Sequence, residues 1–466
     1  MSQILRIDLE PAELRALNTG LAVIAARSAR NEKIAAYYDG VARIRDLGIA
    51  IPPQLRNIET VVGWPARTVD VRESRIDFER FVSTTGDENP LDVAALWDAN
   101  GMRLEQSLAH TSALMQGVVF ATATAGDTTA GEPEVLYSIH EATNATIGWN
   151  PRTRRADWGV AITARKNSGD PKTAILYLPD RIVVIDYVRN AWQITRIPNP
   201  IGRPPITMLT RRPRVGRRFG VPVITRAVMS FTDNAVRSLL RGEVADEFFS
   251  VPQRYALGAD EKAFSATGWE AVIGKMLAIS RDEMGDIPTV GQFAQMSTNG
   301  QTEKLKALAM MFSGESSIPA NYLGIIQDNP SSADAIRVAE TALIEDVSRD
   351  LSNFEFGWVD LSGLGVMIRD RLTETPAELR TVRLQSRDPA TPTRSAQTQN
   401  VIGLITAGAL PATSRVTYKM LGWDDTTIAE LMAEQRRGQV ASLVTTLRER
   451  RQLPAAPAEV TGADGG

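Results

Sequence analysis

Few side chains in this chain can do chemistry, and their types and spacing limit which reactions they could serve. The 466 residues include two histidines and no cysteine. Without cysteine there are no disulfides, thiolate metal ligands or cysteine nucleophiles, and a zinc site lacking cysteine needs several histidines. His140-Glu141 opens like a zinc-protease helix motif, but the residue four beyond the histidine is Asn144, not a second histidine. An ordinary strand or edge histidine is the expectation. Gly314-Glu315-Ser316-Ser317-Ile318 lacks the closing glycine of a nucleophile elbow, and no GxxxxGK[ST] phosphate loop occurs. The carboxylates Asp70, Glu73, Asp77 and Glu79 could hold Mg²⁺ for phosphodiester cleavage, but a solvated face is the strongly favoured reading. The reading is of a chain that is not an enzyme, with no catalytic residues, no metal and no cofactor.

The other chemistry is cationic. Residues 187–232 contain no Asp or Glu but nine arginines: Arg189, Arg196, Arg203, Arg211, Arg212, Arg214, Arg217, Arg218 and Arg226. That stretch carries +9 in a chain of net −3. It could grip phosphates, each contact adding salt-dependent affinity, but Trp192 and Phe219 are too few for a stacking platform. The favoured reading is pairing with acidic surface in the same or a neighbouring subunit. The stretch Asp328 to Asp360 is the candidate, with eight carboxylates against Arg337 and Arg349.

The elements that must position these residues are mostly helical. Residues 1–80 read as helices with turns at 48–53 and around Trp64-Pro65; Pro90 to Met115 follows Asn89 as a cap. Short β-rich runs fill 118–197, with Pro179-Asp180 as a hairpin turn. Pro222 is placed to open a long helix, as proline at a first helical position does; Ile224, Val228, Phe231, Ala235 and Leu239 make its apolar stripe. A second helix covers 301–313 and stops at Gly314. A third runs from Ala333 towards Phe356 on Ile336, Ala339, Leu343, Val347, Leu351 and Phe354, and Gly357, Gly363 and Gly365 weaken or kink its continuation. A helical module spans 388–452, with stops at 408–411 and Gly422. At 466 residues more than one compact unit is expected, and no apolar run approaches the ~20 residues of a membrane span.

A set of co-linear segments resembles the portal proteins of long-tailed (siphovirus-type) bacterial viruses. It comprises Tyr37-Tyr38-Asp39-Gly40, Gly48-Ile49-Ala50-Ile51-Pro52-Pro53, Arg217-Arg218-Phe219-Gly220, Ile224 to Ser230, Ala245 to Phe249 and Pro252-Gln253-Arg254-Tyr255. The later order of helix, Ile318-Pro319, the Asn329-Pro330-Ser331-Ser332 loop and a long helix belongs to the same pattern. The 44 arginines against eight lysines fit a virus of a high-G+C host.

That resemblance implies an α+β portal fold, mainly helical with small antiparallel sheets. It implies an N-terminal wing at 1–205, a basic segment and first stem helix at 206–250, a clip at 251–300 and a second stem helix at 301–320. A tunnel loop, tunnel helix and wing completion at 321–387, a helical crown at 388–452 and a disordered tail at 453–466 complete it. Gln327, Asp328, Asn329, Ser331 and Ser332 would form the DNA-channel loop, which offers no cation. Asp334, Arg337, Glu345 and Arg349 would mark the channel or interface helix, and Arg226, Arg237 and Arg241 the outward or interface face of the stem. The basic segment is Arg211, Arg212, Arg214, Arg217 and Arg218.

The same resemblance implies a virion structural protein, usually a ring of twelve, at one capsid vertex. Double-stranded DNA would be packaged and ejected through it. Its partners would be the terminase large subunit, a head-completion or adaptor protein, the major capsid protein and a scaffold protein, with assembly in the host cytoplasm and no membrane. The rival readings are a carboxylate/Mg-dependent nuclease and a non-ring DNA-binding module using the arginine segment.

Overall fold

The computed structural model describes residues 8–42, 60–86, 89–249, 254–257, 289–292, 299–325, 333–390, 394–423 and 425–452. The chain divides into two compact units, Met1–Pro389 and Ala390–Gly466.

The first unit opens with α1 (Pro11–Tyr38), whose start is fixed by Pro11 and by reciprocal bonds between Glu10 and Glu13. Helix α2 (Trp64–Glu73) follows, then strand β1 (Phe78–Ser83), α3 (Val93–Ala99) and α4 (Met102–Gln116). Trp64-Pro65 therefore starts a helix instead of making a turn, because proline suits a first helical turn whose N–H groups have no partner. The helical run after Asn89 is broken at Gly101, whose φ of 60° is left-handed.

Strands β2 (Val118–Ala125), β3 (Val135–Glu141), β4 (Ala145–Asn150), β5 (Arg155–Arg165), β6 (Pro171–Tyr177), β7 (Arg181–Val188), β8 (Ala191–Pro198) and β9 (Ile206–Thr210) come next. They form two antiparallel sheets, β3-β2-β9 and the meander β4-β5-β6-β7-β8. Alternate residues of the meander are apolar on both faces, which explains its unbroken hydrophobic runs. Val160, Ile162, Ala174, Leu176, Val183 and Ile185 pack under Leu17, Leu21 and Ile24 of α1. Ala161 and Tyr177 point the other way, against Val118, Phe120 and Ile206 of the smaller sheet. The α1 docking is sealed by Glu13, which is 1% exposed and accepts hydrogen bonds from Arg196 (2.8 Å) and Arg181 (3.3 Å). The Arg196 hydrogen bond holds its carboxyl below the usual range.

Helix α5 (Arg226–Phe249) starts later than Pro222. Residues 221–225 are instead tied to neighbouring backbone: Val221 N–H donates to Arg211 O and Val223 N–H to Leu114 O. Thr225 Oγ1 accepts from Val228 N–H at 3.2 Å and caps the helix. Strands β10 (Arg254–Leu257) and β11 (Thr289–Gln292) pair antiparallel within the segment expected to be the clip. Helix α6 (Asn299–Ser316) passes through Gly314 and is followed by Ser317 at φ 56°.

Helix α7 (Ala333–Arg369) is 37 residues long, about 55 Å at ~1.5 Å per residue. The three glycines expected to weaken it do not; they are close-approach points. A Cβ at Gly357 would stand 2.8 Å from Leu209 and from Met208 O, and Gly365 faces the Tyr137 ring. Gly363 faces Leu379 in the same way. A helix interior tolerates glycine's cost of about 1 kcal/mol where packing on both flanks leaves no room for a side chain. Strand β12 (Val382–Ser386) pairs with β1 and closes the unit.

The main core lies between α7, the β2 sheet and helices α2–α4, with Phe354, Trp358, Leu361 and Leu364 fully buried. At its centre His110 of α4 stacks on Phe354 (5.1 Å, 5°) and accepts a hydrogen bond from Trp358 Nε1 at 2.9 Å. The second unit consists of α8 (Arg394–Thr406), α9 (Arg415–Met420) and α10 (Asp425–Gln452). Tyr418 stacks on Trp423 and accepts a hydrogen bond from Gln435 there. Among the described residues no helix is long and apolar enough to cross a membrane.

Both histidines are held neutral, His110 fully buried and His140 half-buried on its strand. Burial pushes His110 down to about 3 and His140 down to about 4, against ~6.5 in the unfolded chain. Their contribution to stability is complete above about pH 6.5 and is lost as pH falls towards 3–4, by about 1.4 kcal/mol per pH unit per site. We expect the melting temperature to drop across that window and the drop to be shallower in His140→Gln, measured by scanning fluorimetry from pH 7.5 to 4. Equal slopes for the two proteins would contradict this account.

Candidate functional site

The basic segment and the acidic stretch identified in the sequence meet in the folded chain. β9 ends at Thr210, so Arg211 and Arg212 leave the sheet directly beside α7. Arg211 is 5% exposed and its Nε donates to Asp350 Oδ2 at 3.2 Å, while its Nη1 donates to Val221 O at 3.1 Å. Arg212 pairs with Asp346 one turn earlier on α7. Further along, Arg203 makes a bidentate pair with Asp360, at 2.9 and 2.8 Å. Arg211, Arg212 and Arg203 thus engage Asp350, Asp346 and Asp360.

A further cation joins the buried part of this group, around Arg211, Asp346 and Asp350. Arg72 of α2 is 2% exposed and stands 3.5 Å from Asp346. It also donates to Thr68 O at 2.8 Å and to Ser316 O at the end of α6. One guanidinium therefore joins α2, α6 and α7. Burial above all, and then the neighbouring Arg211 charge, lower Arg72 to about 10 against the pull of Asp346 and Asp350. Burial likewise pushes Asp350 up and Arg211 down, each opposed by the charge of the other. Next to this group Arg75 pairs with Glu340 at 3.1 Å, and Tyr322 donates to the same carboxylate at 2.6 Å. Sequence reasoning missed Arg72, Arg75 and Tyr322. The only hint was an arginine embedded among Thr68, Val69 and Val71, which are themselves buried.

The rest of the basic segment is arranged differently. Arg214 and Arg217 close a tight turn through mutual backbone bonds, and Arg218 lies over the Trp149 ring at 5.7 Å. Arg27 of α1 stacks on Phe219 at 4.2 Å. Burial lowers Arg27 and Arg30, and the charge of Arg217 lowers both further. Among the described residues none of Arg27, Arg30 and Arg217 has a carboxylate at ion-pair distance.

The other sequence-identified residues do not converge on one point. Glu345 and Arg349 lie on the exposed side of α7, 3.9 Å apart and each 63% exposed. Asp334 and Arg337 stand in the first turns of the same helix, and Gln327, Asp328, Asn329, Ser331 and Ser332 lie outside the described residues. On α5, Arg226 is exposed while Arg237 and Arg241 are half-buried. Asp233, one turn before Arg237, accepts a hydrogen bond from Tyr37 of α1 at 2.8 Å.

The carboxylates weighed as a metal site are dispersed. Asp70 accepts from Tyr38, Glu73 accepts from Ser107, and Asp77 and Glu79 are exposed around β1. Among the described residues no three His, Asp or Glu side chains are grouped to hold a metal ion. His140 donates to or accepts from Thr122 Oγ1 at 3.1 Å on the neighbouring strand.

The chain matches the family described as "Phage portal protein, SPP1 Gp6-like" over residues 22–440. It is 27% identical over 372 residues to the portal protein of Mycobacterium phage L5, covering 78% of this chain and 76% of that protein. The portal protein of Mycobacterium phage D29 matches with the same identity and coverage. Among solved structures it is similar to a chain from the neck of a native gene transfer agent particle computed with C12 symmetry. There the TM-score is 0.44 at 13% identity, over 78% of this chain and 90% of the other.

Removing one partner of a buried pair leaves an uncompensated charge, which costs about 3–5 kcal/mol; exposed pairs are worth about 0–1 kcal/mol. Asp350→Ala is therefore expected to lower the urea midpoint of the first unit sharply, and Glu345→Ala to leave it nearly unchanged. Equal midpoints for the two variants would remove the special role given to the buried pair.

Proposed function

This chain belongs to the SPP1 Gp6-like phage portal proteins, and we propose that its copies form the ring at one capsid vertex through which double-stranded DNA is packaged and ejected. The observation that carries this is the family match, which runs through both compact units. The role is structural: a conduit and head–tail junction in the virion, not a catalyst.

In this reading residues 1–205 and the later part of α7 with β12 build the wing, α5 and α6 are the stem, and 251–300 is the clip. The helices α8–α10 form the crown. The loop at 327–332 faces the channel, and α7 stands behind it with Asp334, Arg337, Glu345 and Arg349 available to the channel or to neighbouring copies. Arg226, Arg237 and Arg241 mark the side of the stem turned to neighbours or outward. The clip engages the terminase large subunit during packaging and a head-completion protein afterwards. The wing contacts the major capsid protein and, during assembly in the host cytoplasm, a scaffold protein.

Electrostatics supports a conduit over a clamp. Each Lys or Arg neutralising a phosphate adds salt-dependent affinity, and a ring multiplies every such contact by its number of subunits. A chain of net charge −3 that engages Arg203, Arg211 and Arg212 with its own aspartates leaves less of its basic segment for passing DNA.

Native mass spectrometry and negative-stain imaging of the purified chain test the reading. Closed rings with an open centre are expected, about 610 kDa if twelve chains of 50.8 kDa assemble. A monomer that cuts DNA with Mg²⁺ would overturn it.

A further inference from the structure

Three arginines meet on the first unit and are held there without being neutralised. Arg27 and Arg30 stand three residues apart on α1 and share a face of that helix. Arg217 comes from the turn at 214–217, where Arg214 and Arg217 exchange backbone hydrogen bonds at 3.2 and 2.8 Å. That turn is pinned against the end of α4. Gly220 N–H donates to Arg217 O, and a Cβ at Gly220, whose φ is 62°, would stand 2.3 Å from both Arg211 O and Gly117 O.

Neutral groups position these side chains. The Arg27 guanidinium lies 4.2 Å over the Phe219 ring, a stack that takes its face and leaves its N–H edge open. Arg30 donates from Nε and Nη2 to Asn31 Oδ1 at 3.3 and 3.1 Å, and from Nη2 to Gln116 O at 3.3 Å. Asn31 is fully buried, and its Nδ2 is a further donor with no partner. Arg27 and Arg217 are half-buried and Arg30 stands exposed beside them. Among the described residues none of the three has a carboxylate at ion-pair distance.

Elsewhere in this unit the fold answers such cations itself: Arg211 with Asp350, Arg203 with Asp360 and Arg196 with Glu13. Here it supplies donors only. Burial lowers Arg27 and Arg30, and the like charge of Arg217 lowers both further, so each cation adds to the cost of the others. An anion from solution relieves that cost, and guanidinium forks match phosphate oxygens two at a time. A phosphate dianion brings more charge and more acceptor oxygens than a carboxylate. A DNA phosphodiester brings one charge where the monoester brings two.

We propose that Arg27, Arg30 and Arg217 form a binding site for a phosphate dianion, held between α1 and the turn at 214–220. The bound anion ties α1 to the segment that leads into α5. The inference stands apart from the ring reading, since every residue of the site belongs to one chain.

The test is thermal melting of the purified full-length chain in about 20 mM phosphate against chloride of equal ionic strength, which holds general screening constant. Both solutions are buffered at about pH 8, where phosphate is a dianion. A melting temperature higher in phosphate by about 2 °C or more is expected, with isothermal titration calorimetry giving one phosphate per chain. Arg217→Gln should lose that rise, yet melt no lower than wild type in chloride, because one of three like charges is gone. Arg27→Gln is a second variant that should lose the rise. Equal melting temperatures of the wild-type chain in the two salts would overturn the site. So would a rise that both variants keep, which would be a general salting effect. A short DNA duplex that raises the melting temperature where inorganic phosphate does not would also overturn it and give the cluster to the DNA backbone.

Discussion

The buried charge group around Arg211, Arg72, Asp346 and Asp350 is the constraint on which the first unit depends. Charges this deep are costly to desolvate and are tolerated where geometry supplies partners, here for most of the polar atoms, with Arg72 Nε and Asp350 Oδ1 left without one. Meeting that condition requires the end of β9, the middle of α2, the end of α6 and the central turns of α7 to arrive at one place. Each comes from a different part of the sequence, so the group works as a register lock for α7 among its neighbours. Apolar packing alone would hold a long helix there with far less positional definition.

Pairing within the chain accounts for four of the nine arginines of residues 187–232, two of them in this group. An excess of nine cations invites a nucleic-acid reading, but Arg203, Arg211 and Arg212 have aspartate partners 134 to 157 residues away in the chain, and Arg196 is held by Glu13 of α1. The other five of the nine, Arg189, Arg214, Arg217, Arg218 and Arg226, have no carboxylate at ion-pair distance among the described residues, nor do Arg27 and Arg30 of α1. For a channel that DNA must traverse in both directions, pairing four of these cations within the chain leaves fewer to retain the duplex.

The sequence made legible whatever depends on periodicity or on charge sign. The α7 stripe from Leu343 to Phe354 is buried as its spacing requires, the meander was signalled by its β-rich runs, and the +9 segment does meet the acidic stretch opposite it. Tertiary contacts decided what was misread. Gly357, Gly363 and Gly365 looked like helix breakers because their neighbours Leu209, Leu379 and Tyr137 come from distant segments. Pro222 looked like a helix start because nothing local shows that Val221 and Val223 bond to Arg211 and Leu114. Arg72 was invisible as a structural residue for the same reason: its partners on α6 and α7 lie more than 240 residues away. Of the candidate site residues, Glu345 and Arg349 fall on the exposed face of α7 as their spacing required, and the channel-loop residues lie outside the described residues.

The central claim is that the arginine excess serves the fold and its assembly and does not grip DNA. Its most direct test is the salt dependence of duplex DNA binding by the purified full-length chain, measured by fluorescence anisotropy between 50 and 300 mM salt. The account predicts weak binding with a shallow slope of log affinity against log salt, reflecting at most a few phosphate contacts. Tight binding at about 150 mM salt, with the slope of six or more neutralised phosphates, would contradict it.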